Sequence, residues 1–174
     1  MSEWAIYDLS SPSSPIRPES NFLILIYLHI TMAILIINGP NLNLLGKRDP
    51  EIYGAETFHD SLSRLRHQFP QEEILFFQSN SEGEIIDAIQ SVRTNPEIYG
   101  IVINPGAYAH YSYAIADAIA DSAVPVVEVH ISNIHAREEF RSKSVTAAAA
   151  DAIISGCGRE GYSLAIHYLV SNKK

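Results

Sequence analysis

The sequence predicts a doubly wound α/β fold: a five-stranded parallel sheet in the order 2-1-3-4-5 with helices on both faces. Three observations predict it. Short apolar runs alternate with helix-period segments along the chain after Met32. The runs are apolar throughout, as expected of strands covered on both faces. The first, third and fourth runs end in polar residues, at Asn38, Asn104 and His130, and in such a sheet these ends converge on the crevice where the strand order reverses.

The first strand is Ala33 to Asn38, a buried AILII run closed by Asn-Gly-Pro. A first helix from about His59 to Gln68 precedes a second strand, Ile74 to Gln78. Ser81 with Glu84 has the spacing of a capping box and opens a helix from about Ser81 to Arg93, with Pro96 marking its exit. The third strand is Ile101 to Asn104, and the helix after it runs from about Tyr111 to Ser122, ended by Pro125. Val126 to His130 and Ala152 to Ser155 are strands four and five, and a last helix runs from about Glu160 to Val170. No internal repeat or domain linker interrupts this order.

At 174 residues the chain has the length of one domain, and a domain of this size buries roughly 70% of its unfolded surface. Twelve basic residues against 20 acidic ones give a net charge of −8, and the basic residues are scattered, so no nucleic-acid face forms. A small anionic ligand must then be held by local arginines. One cysteine, Cys157, leaves no intrachain disulfide and fits a reducing, cytoplasmic compartment.

Residues 1–31 differ from the rest. Ser10 to Pro18 is Ser/Pro-rich and expected to be disordered, whereas Phe22 to Ile37 is almost continuously apolar and reads as two fused elements. Sixteen residues interrupted by His29 and Thr31 are short for a membrane span, and neither a basic n-region nor a small-residue cleavage site is clear. The expectation is an extension, disordered or translated from upstream of a start at Met32, followed by one catalytic α/β domain over 32–174, with no membrane partner.

The loop after strand 1, Asn38 to Gly54 (NGPNLNLLGKRDPEIYG), carries site chemistry. Asn41, Arg48 and Tyr53 supply a neutral donor, a fixed cation and a phenol. Gly39 and Gly46 lie too far apart for a phosphate-binding loop, and Arg48 stands where that motif has Ser or Thr. A phenol has an ordinary pKa of about 10, each unit of depression needs roughly 1.4 kcal/mol, and an adjacent cation supplies about 1 to 3 units. Taken singly, Tyr53 reads more readily as a loop-packing aromatic and Arg48 as a solvated charge. His130 ends a buried strand and is either a general acid or base at the sheet rim or a histidine bonded to backbone at the core edge. Ser132 and Asn104 at neighbouring ends favour the first reading.

His130, His135, Glu128 and Glu138 lack the spacing of a metal site, and none is expected. His135 and Glu138 are expected to buttress the loop. Arg137 and Arg141 are spaced i, i+4, which on a helix gives one face, with one arginine for a substrate carboxylate and the other for Glu138 or Glu139.

Four blocks in order, NGPNLNLLGKRDPEIYG at Asn38–Gly54, QSNSEGEIID at Gln78–Asp87, INPGAYAH at Ile103–His110 and EVHISNIHAREEFR at Glu128–Arg141, resemble type II 3-dehydroquinate dehydratase. The resemblance runs from about Met32 to Val170. It implies the flavodoxin-like form of the fold and the anti elimination of water from 3-dehydroquinate to give 3-dehydroshikimate, with no metal or organic cofactor and no Schiff base. It implies that Tyr53, as a tyrosinate activated by Arg48, removes the proton alpha to the ketone. Asn41 holds the water that stabilises the enolate, and His130 protonates the departing hydroxyl. It assigns substrate contacts to Asn104, His110, Ile131, Ser132 and Arg141, an orienting role to Glu128, and to Asp117 a reach into a neighbouring subunit's site. The assembly implied is a homo-oligomer, trimers grouped into a dodecamer. The segment Leu45 to Gly54 is expected to close over the substrate.

Tyr111, Tyr113 and Ala116 depart from the pattern, where small residues and an arginine are expected, and the tract Thr146 to Asp151 is plain. The chemistry serves shikimate biosynthesis and quinate breakdown alike. A non-catalytic flavodoxin-like binding module is the alternative. It predicts an acidic cluster or a phosphate-binding turn in place of a tyrosine–arginine pair. A membrane-tethered scaffold would rest on Phe22 to Ile37 alone.

Overall fold

Five parallel strands form one sheet in the order β2-β1-β3-β4-β5, as the alternation of apolar runs and helices predicts. The computed structural model describes residues 32–46 and 57–173. The expectations for residues 1–31 and for Lys47, Arg48 and Tyr53 lie outside the described residues. Among the described residues, no helix is long and apolar enough to cross a membrane.

Strand β1 (Ala33–Asn38) is buried at every position because it sits inside the sheet with helices on both faces. Its neighbours are β2 (Glu73–Gln78), on one edge, and β3 (Ile98–Asn104), followed by β4 (Val126–His130) and the other edge strand, β5 (Ala152–Ser155). Alternate residues of each strand feed two cores. Ile34, Ile36, Val102, Val127 and Val129 meet one, and Leu35, Ile37, Ile101, Ile103 and Val126 meet the other. Each fully buried Ile or Val contributes roughly 1.5–3 kcal/mol over its exposed state. The third strand begins at Ile98, earlier than the apolar pattern suggests, because Gly100 interrupts that pattern while a side chain there would meet Leu169 at 2.9 Å.

Helix α1 (Phe58–Gln68) starts on a capping box in which Thr57 Oγ1 accepts from Asp60 N and Asp60 Oδ2 accepts from Thr57 N at 3.0 Å. Helix α2 (Glu82–Gln90) follows Ser81, but the expected capping box is not formed. Ser79 has displaced it: its hydroxyl accepts from Ser81 N at 2.8 Å and donates to Glu84 Oε2 at 2.5 Å, which removes the glutamate from the helix end. Helix α3 (Tyr113–Ala120) starts later than the periodicity suggests because Ser112 caps it, its hydroxyl accepting from Ile115 N at 3.0 Å. Helix α4 (Glu160–Ser171) lies close on β4, since a Cβ at Gly161 would stand 3.0 Å from Val129 Cγ1.

Candidate active site

The carboxyl ends of β1 and β3 meet at the reversal of strand order, and two glycines let them approach. Gly39 N donates to Asn104 O at 2.8 Å, and a Cβ on Gly39 would stand 2.4 Å from Pro105 O, inside any permitted contact. Gly106 adopts φ 61°, which costs a residue with a Cβ about 1–2 kcal/mol, and faces Pro40 O. Beyond this junction opens a cavity of about 270 Å³ whose lining includes Asn41, Asn104, His110, His130, Ile131, Ser132 and Arg141. Seven of the residues singled out from sequence therefore share one space.

His130 is the last residue of β4 and is almost fully buried, as is Glu128 two residues earlier on the same strand face. Glu128 Oε1 accepts from His130 Nε2 at 2.7 Å and from Ser144 Oγ at 2.7 Å, and its Oε2 accepts from Thr146 Oγ1 at 2.5 Å. A carboxylate only accepts, so Nε2 carries the proton and the tautomer is set. Nδ1 of His130 has no hydrogen-bond partner among the described residues. The reading of His130 as a core-edge residue bonded to backbone is thereby replaced by a side-chain hydrogen bond to a buried carboxylate.

His110 lies beside it, the two rings near-parallel with centroids 6.4 Å apart. Its Nδ1 donates to Lys143 O at 2.9 Å. The segment Lys143 to Thr146 thus fixes both histidines, one through a carbonyl and the other through two hydroxyls on Glu128. That role was not legible in the sequence. The only signal was a pair of hydroxyl residues, Ser144 and Thr146, directly before the alanine tract.

The cationic wall is not the helix that the i, i+4 spacing suggested. The segment forms two single 3-10 turns, Ile134–Ala136 and Glu139–Arg141, with Arg137 extended between them. Both arginines nevertheless line the cavity. Glu138 serves both rather than one, with Oε2 3.1 Å from Arg141 Nε and 3.5 Å from Arg137 Nε, while Glu139 enters no ion pair among the described residues. Its own backbone N–H and the two guanidiniums hold the Glu138 carboxyl below the ordinary carboxylate range. Arg141 also lies over the Phe140 ring at 4.7 Å, and Arg137 Nη1 donates to Ser132 Oγ at 3.4 Å. His135 is exposed, its backbone N–H donates to Asn133 Oδ1 at 3.0 Å, and its ring has no hydrogen-bond partner among the described residues.

Asn41 adopts φ 67°, the left-handed region that asparagine tolerates, and its backbone N–H donates to Asn80 Oδ1 at 3.0 Å. Asn104 Oδ1 accepts from Gly106 N at 3.2 Å. Asp117 is exposed on α3 and does not line the cavity of its own chain. Among the described residues no group of three or more His, Cys, Asp or Glu stands where a metal ion could be held.

The family model described as dehydroquinase class II matches residues 32–170. The chain belongs to that family. Membership makes it a hydro-lyase of the type that forms no Schiff base, in agreement with the resemblance of its four motifs. Among its relatives, the 3-dehydroquinate dehydratase of Bacillus licheniformis is 55% identical over 141 residues, covering 79% of this chain and 95% of that protein. The enzyme of the same name from Clostridium botulinum strain Okra is 53% identical over 141 residues, covering 80% and 95%. The crystal structure of the type II dehydroquinase from Butyrivibrio crossotus superposes with a TM-score of 0.77 at 48% identity, covering 80% of this chain and 97% of that one. In the family's sheet, the crevice at the switch between β1 and β3 is thus the same topological position that the order 2-1-3-4-5 marks for ligands.

Proposed function

We propose that this chain is a type II 3-dehydroquinate dehydratase that eliminates water in the anti sense from 3-dehydroquinate, through an enolate, to give 3-dehydroshikimate. The observation that carries the reading is the His130–Glu128 pair at the rim of a cavity that also holds Asn41, Asn104, His110 and Arg141. His130 is the general acid. Its Nε2–H bond to Glu128 persists while Nδ1 gains and gives up a proton, so the ring keeps its orientation through the cycle. Nδ1–H donates to the departing hydroxyl, which leaves as water.

Tyr53, ionised beside Arg48, is the base that removes the proton alpha to the ketone, and the electron pair left on carbon moves into the enolate. Asn41 holds the water that donates to the enolate oxygen. Arg141 binds the anionic substrate with Ile131 and Ser132, and Asn104 and His110 contact its hydroxyls. Glu138, which pairs with Arg141, gives way to the substrate's negative charge. The enzyme works in the cytoplasm as trimers grouped into a dodecamer, with Asp117 reaching a neighbouring subunit's cavity. The exposure of Asp117 on α3 supports that role. Residues 1–31 form no part of the catalytic domain, which spans 32–174.

The test is Tyr53→Phe. Turnover of 3-dehydroquinate should fall by orders of magnitude, while the substrate still raises the variant's melting temperature. Near-normal turnover would remove Tyr53 from the base role.

A further inference from the structure

Tyr162, in the first turn of α4, is 1% exposed and stands beneath the crevice between β1 and β3. It occupies one position of the apolar stripe Tyr162, Ala165, Ile166, Leu169 that buries α4 on the sheet. A phenylalanine would satisfy that stripe, so the hydroxyl needs its own explanation. The close approach at Gly161 brings the phenol to the two asparagines that end β1 and β3. Asn104 Nδ2 donates to Tyr162 Oη at 3.0 Å, and Tyr162 Oη donates to Asn38 Oδ1 at 2.8 Å.

The bonds form a chain with one direction. Gly106 N–H donates to Asn104 Oδ1, Asn104 Nδ2 to the phenol, and the phenol to Asn38. Each link fixes the next, because an amide rotated by half a turn would set Oδ1 against the phenol oxygen and Nδ2 against the Gly106 N–H. The second Nδ2 proton and the second Oδ1 lone pair of Asn104 are what remain for the cavity it lines. Burial pushes the Tyr162 phenol far above its ordinary value, so the phenol keeps the proton that it donates to Asn38. The ring also meets Phe58, at the start of α1, edge-on at 5.1 Å. Asn38 and Phe58 flank the connection that carries Asn41, and Tyr162 holds both.

We infer that Tyr162 is a positioning residue for substrate binding: its hydroxyl sets the orientation in which the Asn104 carboxamide meets the substrate. The inference rests on the dehydratase reading, since it requires Asn104 to contact 3-dehydroquinate. Asn38 supports it from the other side. Among the described residues its buried Nδ2 has no hydrogen-bond partner, so the one bond that its side chain makes there is the one it accepts from Tyr162.

The experiment is a set of variants assayed with 3-dehydroquinate at a temperature where circular dichroism shows each to be folded. Wild-type turnover tests the dehydratase reading by itself. Given that turnover, Tyr162→Phe should raise KM about tenfold with kcat changed less than threefold. Added to Asn104→Ala it should produce no further loss beyond twofold, since the two act on one contact. Leu169→Ala, a core truncation on the same helix, should lower the melting temperature and leave KM unchanged, which separates positioning from stability. Should Tyr162→Phe not fold, Asn38→Ala retains the phenol but removes the acceptor that orients it, and a severalfold rise in KM is expected there too. An unchanged KM in whichever of Tyr162→Phe and Asn38→Ala is folded would overturn the inference, as would multiplying losses in the double variant.

Discussion

Replacing Thr146 by valine removes one oxygen and almost no volume, and the structure makes the consequence calculable. Glu128 is fully buried, and among the described residues its Oε2 accepts a single hydrogen bond, from Thr146 Oγ1, while Oε1 accepts from both His130 and Ser144. In Thr146→Val, half of a buried carboxylate therefore has no donor. Hydrogen bonds to charged groups contribute about 1.5–3 kcal/mol, and a buried acceptor left unpaired costs a similar amount. For a domain of this size 2 kcal/mol corresponds to a fall of roughly 4–8 °C in melting temperature. The carboxylate also orients His130, so turnover should fall with stability, whereas Thr146→Ser, which keeps the hydroxyl, should retain most of both. Urea denaturation and steady-state rates on the same preparations give the two readouts. A valine variant as stable and as fast as the parent would refute the argument that these hydroxyls hold the Glu128–His130 pair.

Gly39→Ala should be far more damaging than an ordinary surface substitution, because its Cβ would stand 2.4 Å from the Pro105 carbonyl oxygen and neither backbone can withdraw without opening the junction of β1 and β3. Thermal denaturation should show a loss well above that of Gly158→Ala, where the cost is backbone conformation alone, since nothing lies within 4 Å of the added carbon. At the start of α1, hydrogen bonds from Thr57 hold the Asp60 carboxyl below its ordinary value. A lowered folded-state pKa gives stability that is present above the unfolded value and lost as pH falls through the folded one. Asp60→Asn should thus flatten the decline of melting temperature below about pH 4, and an unaltered acid limb would show that the capping box does not contribute there.

Much of the fold was legible because it depends on local pattern. Three strands, Ala33–Asn38, Val126–His130 and Ala152–Ser155, have the bounds that the apolar runs predict, and the order of the sheet follows from the alternation of elements. Failures occurred where a side chain outside the pattern competed. Ser79 took the glutamate expected to cap α2 with Ser81, and the Arg137–Arg141 spacing was read as helical where the chain makes separate 3-10 turns. Site residues at strand ends were legible because topology alone brings them together. Those that act through a third residue were not. Ser144 and Thr146 reach Glu128 across 16 and 18 positions, and Tyr162 reaches Asn38 across 124, separations that no periodicity records.

The central claim, dehydration through an enolate and without a covalent imine, is tested most directly by following the conjugated product spectrophotometrically. Purified protein would be given 3-dehydroquinate, with and without prior borohydride treatment in the presence of substrate. Product formation at the same rate in both arms is the predicted result. Inactivation by borohydride would contradict the enolate route, and no product from folded, oligomeric protein would contradict the dehydratase reading itself.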